Sequence, residues 1–277
     1  LKHGYDAPFM IFSKGFIDFT TQKFISIVGT RNMTSYGMGF VKELIQALKS
    51  YHPTIVSGYA YGIDICAHIA AIENNLPTVA VLGHGLNQTY PKTHIKYNES
   101  MMENGGFVSE FWSSDNFNKE NFIKRNRIVA GISKATIVIE SALKGGSLST
   151  VKFANDYNKE VFALPGRTSD SYSSGCNHLI KTNQANLITS AQDLIYMLNW
   201  DVKSKTEKPE KPFGIPKDLS EEEFLIVDYL LKTGPQILDV IAVENNIPTY
   251  KLSVLLLQLE LRNIINPLPG KLFEIKK

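Results

Sequence analysis

The sequence predicts a doubly wound α/β domain on a mostly parallel sheet, followed by a small helical unit with a terminal hairpin. Three observations carry that reading. Short β-branched runs alternate with helical patterns from residue 24 to about residue 188. These runs are continuously apolar, as in strands buried on both faces. A charged, proline-bearing stretch at 201–214 then separates them from a different pattern.

The strands are taken as 24–28 (FISIV), 54–58 (TIVSG), 78–83 (TVAVLG), 106–110 (GFVSE), 135–140 (ATIVIE), 160–166 (EVFALPG) and 185–189 (ANLIT). Between the first two, Met38, Val41, Leu44, Ile45 and Leu48 recur at helical spacing, and 62–75, 92–104, 122–131 and 147–157 behave alike. The organisation reads as an extension over 1–23, an α/β domain over 24–200, a linker over 201–214 and a small domain over 215–277. In the last, Ser220 and Glu223 make a capping box, because hydroxyl and carboxylate can satisfy the first free helical amides reciprocally. Helices are expected from there through 224–232, 237–245 and 249–265, and NPLPGKLFEIKK supplies a Pro-Gly hairpin. Three helices and a β wing make a winged helix-turn-helix pattern.

The 277 residues carry a formal net charge of only +2, so attraction to a polyanion has to come from a local cluster of Lys and Arg. Cys66 and Cys176 are far apart and lack the paired spacing of a zinc site, which predicts inert thiols, a reducing compartment and no bound metal. No run of about 18 apolar residues and no signal peptide is present, so a cytoplasmic protein with no membrane partner is expected.

Ligands of doubly wound sheets sit beyond the carboxyl ends of the strands, and the informative residues fall in those loops. After the first strand, Gly29 permits a tight turn, Thr30, Thr34 and Ser35 offer hydroxyls at a helix terminus expected to welcome an anion, and Arg31 suits bidentate phosphate contact or, as readily, a structural turn. Neither G-x-G-x-x-G nor G-x-x-x-x-G-K-[ST] occurs, so no nucleotide cofactor is expected. The second loop, Ser57-Gly58-Tyr59-Ala60-Tyr61-Gly62-Ile63-Asp64, can be explained by turn geometry and helix capping. In the third, Lys119, Lys124, Arg125 and Arg127 surround Phe122, with Asn121 and Asn126 between them. Cations for phosphates with an aromatic platform for bases suit a single-stranded nucleic acid, and a solvated helix start with Phe122 in the core is the alternative. The fourth, Lys144-Gly145-Gly146-Ser147, ends a strand and opens a helix as a second anion cradle or a plain αβ turn. Lone His68, and Cys176 beside His178, are weak candidates for catalysis, since adjacent side chains cannot both reach one substrate atom.

At these loops the chain resembles the DNA-processing protein A family (DprA/Smf). The ordered motifs are IVGTR (27–31), SG-A-GID-AH (57–68), AVLG-GL---YP (80–91), SEF (109–111), F--RNRI-AG-S (122–133), GS--T (146–150), A-PG (163–166), GCN-LI (175–180) and TSA-D (189–193). The resemblance implies a Rossmann-like domain that binds single-stranded DNA, protects it and loads the RecA recombinase in natural transformation. It also implies a homodimer that displaces or cooperates with single-strand-binding protein. It places Arg31, Lys119, Phe122, Arg125, Arg127, Lys144, Gly146 and Ser147 in or beside the DNA pocket. With their loop neighbours Gly29, Thr30, Ser57, Gly58, Tyr61, Asn121, Asn126 and Gly145 they form the candidate DNA-binding set, and no catalytic residue is assigned. Tyr61 stands where members commonly have Arg, and only the trailing linker of the small helical domain many members carry is expected in LKHGYDAPFMIFSKG.

Two other functions fit the sequence less well. A phosphoribohydrolase of the cytokinin-activating type uses a PGG-GT--E loop, but laid on 145–152 that pattern puts Lys152 at the catalytic Glu. A transcription regulator would need base-reading side chains, and the third C-terminal helix holds just Lys251 and Arg262 among many leucines.

Overall fold

The computed structural model describes residues 6–20, 23–200, 219–268 and 270–276. The chain divides into two compact units, 1–201 and 202–277. The linker expected at 201–214 lies outside the described residues.

The first unit is built on eight strands: β1 (Phe12–Gly15), β2 (Phe24–Val28), β3 (Thr54–Ser57), β4 (Thr78–Val81), β5 (Gly105–Ser109), β6 (Ala135–Val138), β7 (Glu160–Ala163) and β8 (Asn186–Leu187). They lie in the order β1-β5-β4-β3-β2-β6-β7-β8, parallel throughout except for β1 against β5. The helices are α1 (Ser35–Ala47), α2 (Ile63–Glu73), α3 (Asn98–Glu103), α4 (Asn121–Ile132), α5 (Ser147–Asp156), α6 (Ser174–Lys181) and α7 (Ala191–Met197). This is a Rossmann-like α/β fold.

The all-apolar strands explain the layering. Ile25 and Ile27 of β2 pack with Val41, Leu44 and Ile45 of α1 and Ala67 of α2, while Phe24 and Val28, one residue out of step, pack with Ile128 and Val129 of α4 and Val151 of α5. β2 therefore feeds two cores, one on each face of the sheet. A fully buried aliphatic side chain contributes about 1.5–3 kcal/mol, so both helix layers are tightly held.

Three features depart from the expected elements. Residues 12–15, expected as linker, form β1 on the edge of the sheet, where Gly15 stands opposite Gly106. A Cβ at Gly106 would sit 2.1 Å from the Lys14 carbonyl oxygen, so the close approach of the two backbones requires glycine there. The stretch 92–104 splits into a 3-10 turn over Lys92–Tyr97 followed by α3. Helices α6 and α7 are additional to the expected elements; α7 opens on a capping box of Ser190 and Asp193.

The second unit comprises α8 (Glu221–Thr233), β9 (Gln236–Ile237), α9 (Leu238–Glu244), α10 (Thr249–Leu261), β10 (Ile265–Leu268) and β11 (Leu272–Ile275), with an antiparallel sheet in the order β10-β11-β9. Ile226, Leu230, Ile241, Leu252, Leu256 and Leu259 form its core. The capping box of Ser220 and Glu223 is present, with Ser220 N–H donating to Glu223 Oε2 at 2.8 Å. Helix α10 stops at Leu261 rather than 265, because Asn263 takes a left-handed φ of 57° and ends the turn.

Candidate nucleic-acid interface

The strand order reverses at β2: β3, β4 and β5 run out on one side and β6, β7 and β8 on the other. Such a switch opens a crevice beyond the carboxyl ends of the strands. A cleft of about 700 Å³ lies there. It is lined by Gly29, Thr30 and Arg31 after β2, Gly58 and Ala60 after β3, and Gly145, Gly146 and Ser147 after β6. Phe122, Arg125 and Asn126 of α4 join them with Lys119, Tyr90, Phe117 and Tyr172. The Arg31 loop is braced from both sides, by Thr30 N–H donating to the Glu140 carbonyl at 2.8 Å and Ile63 N–H donating to the Thr30 carbonyl at 3.1 Å.

The terminus of α1 is not free for a ligand anion, contrary to the sequence reading. Thr34 caps it, accepting from Gly37 N–H at 3.4 Å, and Glu140 brings a carboxylate to the same turn. Glu140 Oε2 accepts from Thr34 N–H at 2.8 Å and its Oε1 from the Thr34 hydroxyl. Glu140 is 3% exposed. A negative charge at a helix N-terminus is favourable, and here the protein supplies it from Glu140, just after β6. What the turn offers a ligand is the exposed side chain of Arg31.

The floor of the cleft is Arg125, whose placement differs from a surface phosphate contact. The side chain is 4% exposed, its Nη1 donates to the Gly58 carbonyl at 2.5 Å and to the Val81 carbonyl, and its guanidinium carbon lies 6.0 Å from the Phe122 ring centroid. Burial lowers its pKa to about 10, against the opposing charge of Asp64. Burial likewise raises the Asp64 carboxyl, although Arg125 and the Ala60 amide pull the other way. Gly58 contributes space: a Cβ there would lie 2.6 Å from both Arg125 Nη atoms and from Asp64 Oδ2.

Above the floor the cleft is basic and aromatic. Arg31 and Lys119 are exposed and Phe122 is half-buried. Phe122 sits 5.5 Å from Tyr90 and 5.4 Å from Phe117, ring centre to ring centre. It is neither an isolated platform nor a core residue, but one member of an aromatic cluster. Asn126 Nδ2 donates to Ser149 Oγ at 2.8 Å and to the Gly146 carbonyl at 3.4 Å, tying α4 to the glycine loop. The Ser147 hydroxyl donates to Ser141 Oγ at 3.0 Å.

The remaining candidates fall outside the lining residues. Ser57 is fully buried, with its hydroxyl donating to the Ile27 carbonyl at 2.6 Å, so no ligand atom can reach it. Arg127 is ion-paired with Glu110. Tyr61 accepts from Thr93 Oγ1 at 3.1 Å and packs edge-on to His94. Asn121 is half-buried at the start of α4, and Lys144 is exposed in the glycine loop. Sequence reasoning missed Tyr90, Phe117 and Tyr172 as lining residues. Tyr90 was visible within the YP motif, and Phe117 lies two positions before Lys119.

Asp64 is the single carboxylate among the lining residues, and Lys152 is not among them. Cys176 is buried on α6, where desolvation pushes its thiol up to about 12. Among the described residues no group of His, Cys, Asp and Glu could hold a metal ion, and no helix is long and apolar enough to cross a membrane.

A family model described as DNA recombination-mediator protein A matches residues 1–199. DNA processing protein DprA of Streptococcus pneumoniae is 39% identical over 195 residues, covering 70% of this chain and 68% of that protein. Protein Smf of Escherichia coli is 34% identical over 275 residues, covering 98% and 73%. The X-ray structure of the S. pneumoniae protein superposes with a TM-score of 0.66 at 38% identity over 69% of this chain and 67% of that one. DNA processing protein A from Helicobacter pylori, whose structure concerns its single-stranded DNA binding mode, gives a TM-score of 0.65 at 31% identity over 71% and 90%.

Proposed function

Since the chain belongs to the DNA recombination-mediator protein A family, we propose that its first unit holds single-stranded DNA in the cleft over β2 and β6. The observation that carries this is the meeting of Arg31, Lys119 and the Gly145–Ser147 loop with the rings of Tyr90, Phe117 and Phe122 in one concave site. Exposed cations attract the backbone without regard to sequence, and rings stack on any base, so the combination favours a single strand over a duplex whose bases are already stacked. Arg125 acts from below: it fixes the Gly58 and Val81 carbonyls and carries positive charge under the phosphates.

Binding, protection of the strand and delivery to the RecA recombinase, as a homodimer alongside single-strand-binding protein in the cytoplasm, form the role in natural transformation that the family resemblance supports. The second unit is read as a winged helix that contacts protein, or DNA only weakly. Lys251 of α10 pairs with Glu222 at 2.6 Å and Arg262, just after the helix, with Glu223 at 3.4 Å, so both cations are engaged, while Tyr250, Val254, Leu257 and Leu261 are exposed along α10.

Parallel titrations separate binding from hydrolysis. Single-stranded oligothymidylate should bind far more tightly than the matching duplex, and a nucleoside monophosphate should be left intact. Release of free base, with no affinity for the oligonucleotide, would replace this reading by the phosphoribohydrolase one.

A further inference from the structure

Tyr90 and Phe117 line two depressions, the basic cleft and a second groove of about 560 Å³. Their rings lie 5.0 Å apart and are 42% and 44% exposed, so together they make one aromatic wall shared by both sites. Beyond that wall the groove is lined by Gln88, Thr89, Lys92 and Ile95. Ile95 is 56% exposed, an apolar side chain left open beside the rings. The Gln88 side-chain amide makes no hydrogen bond among the described residues, and Lys92 is exposed with no ion pair there. Thr89, in contrast, accepts from Asn98 Nδ2 at 2.9 Å.

An unpaired cation, stacking faces and a free amide offering both donor and acceptor match a nucleotide: phosphate, base face and base edge. Continuity with the cleft decides which nucleotide. We propose that a single strand held in the cleft continues across the Tyr90–Phe117 wall into this groove. There Lys92 takes a backbone phosphate, Ile95 and the wall hold the next base, and Gln88 hydrogen-bonds its edge. This rests on the reading of the cleft as a single-stranded DNA site, and it assigns to Gln88 a contact with the base edge.

The test uses a short oligothymidylate, enough for the cleft, and one several times longer, with affinities measured across a range of salt. The double variant Lys92→Ala/Ile95→Ala should lose about tenfold in affinity for the long strand. It should also lower the slope of log affinity against log salt by about 0.7, one phosphate contact. For the short strand it should match the wild type. Gln88→Ala should narrow the differences in affinity among long dT, dA and dC strands. Wild-type affinity and slope of the double variant for the long strand would overturn the proposal, as would unchanged base preferences in Gln88→Ala overturn the edge contact. Arg31→Ala and Lys119→Ala serve as the reference arm. If they lose both strands while the groove variants lose neither, only the extension falls; if they lose nothing, the cleft reading itself falls.

Discussion

At the scale of single residues, the side chains that matter divide into those that meet a ligand and those that hold the cleft in shape. Phe122 is proposed for the first group because its half-buried ring lines the cleft, edge-on to Tyr90 and tilted against Phe117. Phe122→Ala should therefore cost about 1–3 kcal/mol in binding to a single strand, measured by fluorescence anisotropy, with a smaller effect on thermal stability. Unchanged affinity with a lowered Tm would return it to the core. Gly58 belongs to the second group. Gly58→Ala places a methyl 2.6 Å from Arg125 and Asp64 and should cost about 1–3 kcal/mol of stability by overpacking, read as a lower denaturant midpoint. His68 makes a third case. It is fully buried, its Nδ1 lies 2.7 Å from Thr78 Oγ1, and Thr78 in turn donates to the Ile55 carbonyl, which assigns the proton to Nδ1 and leaves Nε2 without a partner. Burial lowers its pKa to about 3. The folded state thus refuses a proton that the unfolded chain takes up below about pH 6.5. Stability should be full above that pH and fall as pH drops from about 6.5 toward 3, by about 2 kcal/mol at pH 5 from this group alone. His84 and His94 are shifted in the same direction by burial. His68→Gln should make the loss between neutral pH and pH 5 shallower, and an identical slope would contradict the assignment.

At the scale of elements, β2 through β7 and the helices α1, α2, α4 and α5 were legible because hydrophobic runs and 3.6-residue spacing report burial directly. FISIV was placed to the residue. β1 was illegible, since FSKG is largely exposed and is a strand only because β5 offers an edge to pair with. The reading of the α1 terminus at Thr34 and Ser35 as a free anion site failed for a related reason. A helix terminus shows in the sequence, but the carboxylate that fills it comes from Glu140, 106 positions away from Thr34, and distant partners leave no local signal. Glu140→Ala should strip α1 of that partner and expose two donors to an empty site, lowering stability by about 1–3 kcal/mol. A denaturant midpoint equal to the wild type would mean that water replaces Glu140 at no cost.

At the scale of the molecule, the basic and glycine-rich segments that looked separate in the sequence converge because β2 and β6 are neighbours while their loops are more than a hundred residues apart. Composition could identify cations near an aromatic residue. It could not show that Arg125 would be the buried one, that Arg127 would pair with Glu110, or that Tyr90 and Phe117 would complete the wall. The central claim is that this convergence makes one single-strand site. The measurement that tests it most directly is a salt titration of oligothymidylate binding by wild type, Arg31→Ala and Lys119→Ala, with Lys152→Ala, an exposed cation of α5 outside the cleft, as control. Each cleft variant should weaken binding and flatten the dependence of log affinity on log salt by about 0.7, while Lys152→Ala should match the wild type. Equal affinities and slopes for all four proteins would contradict the claim.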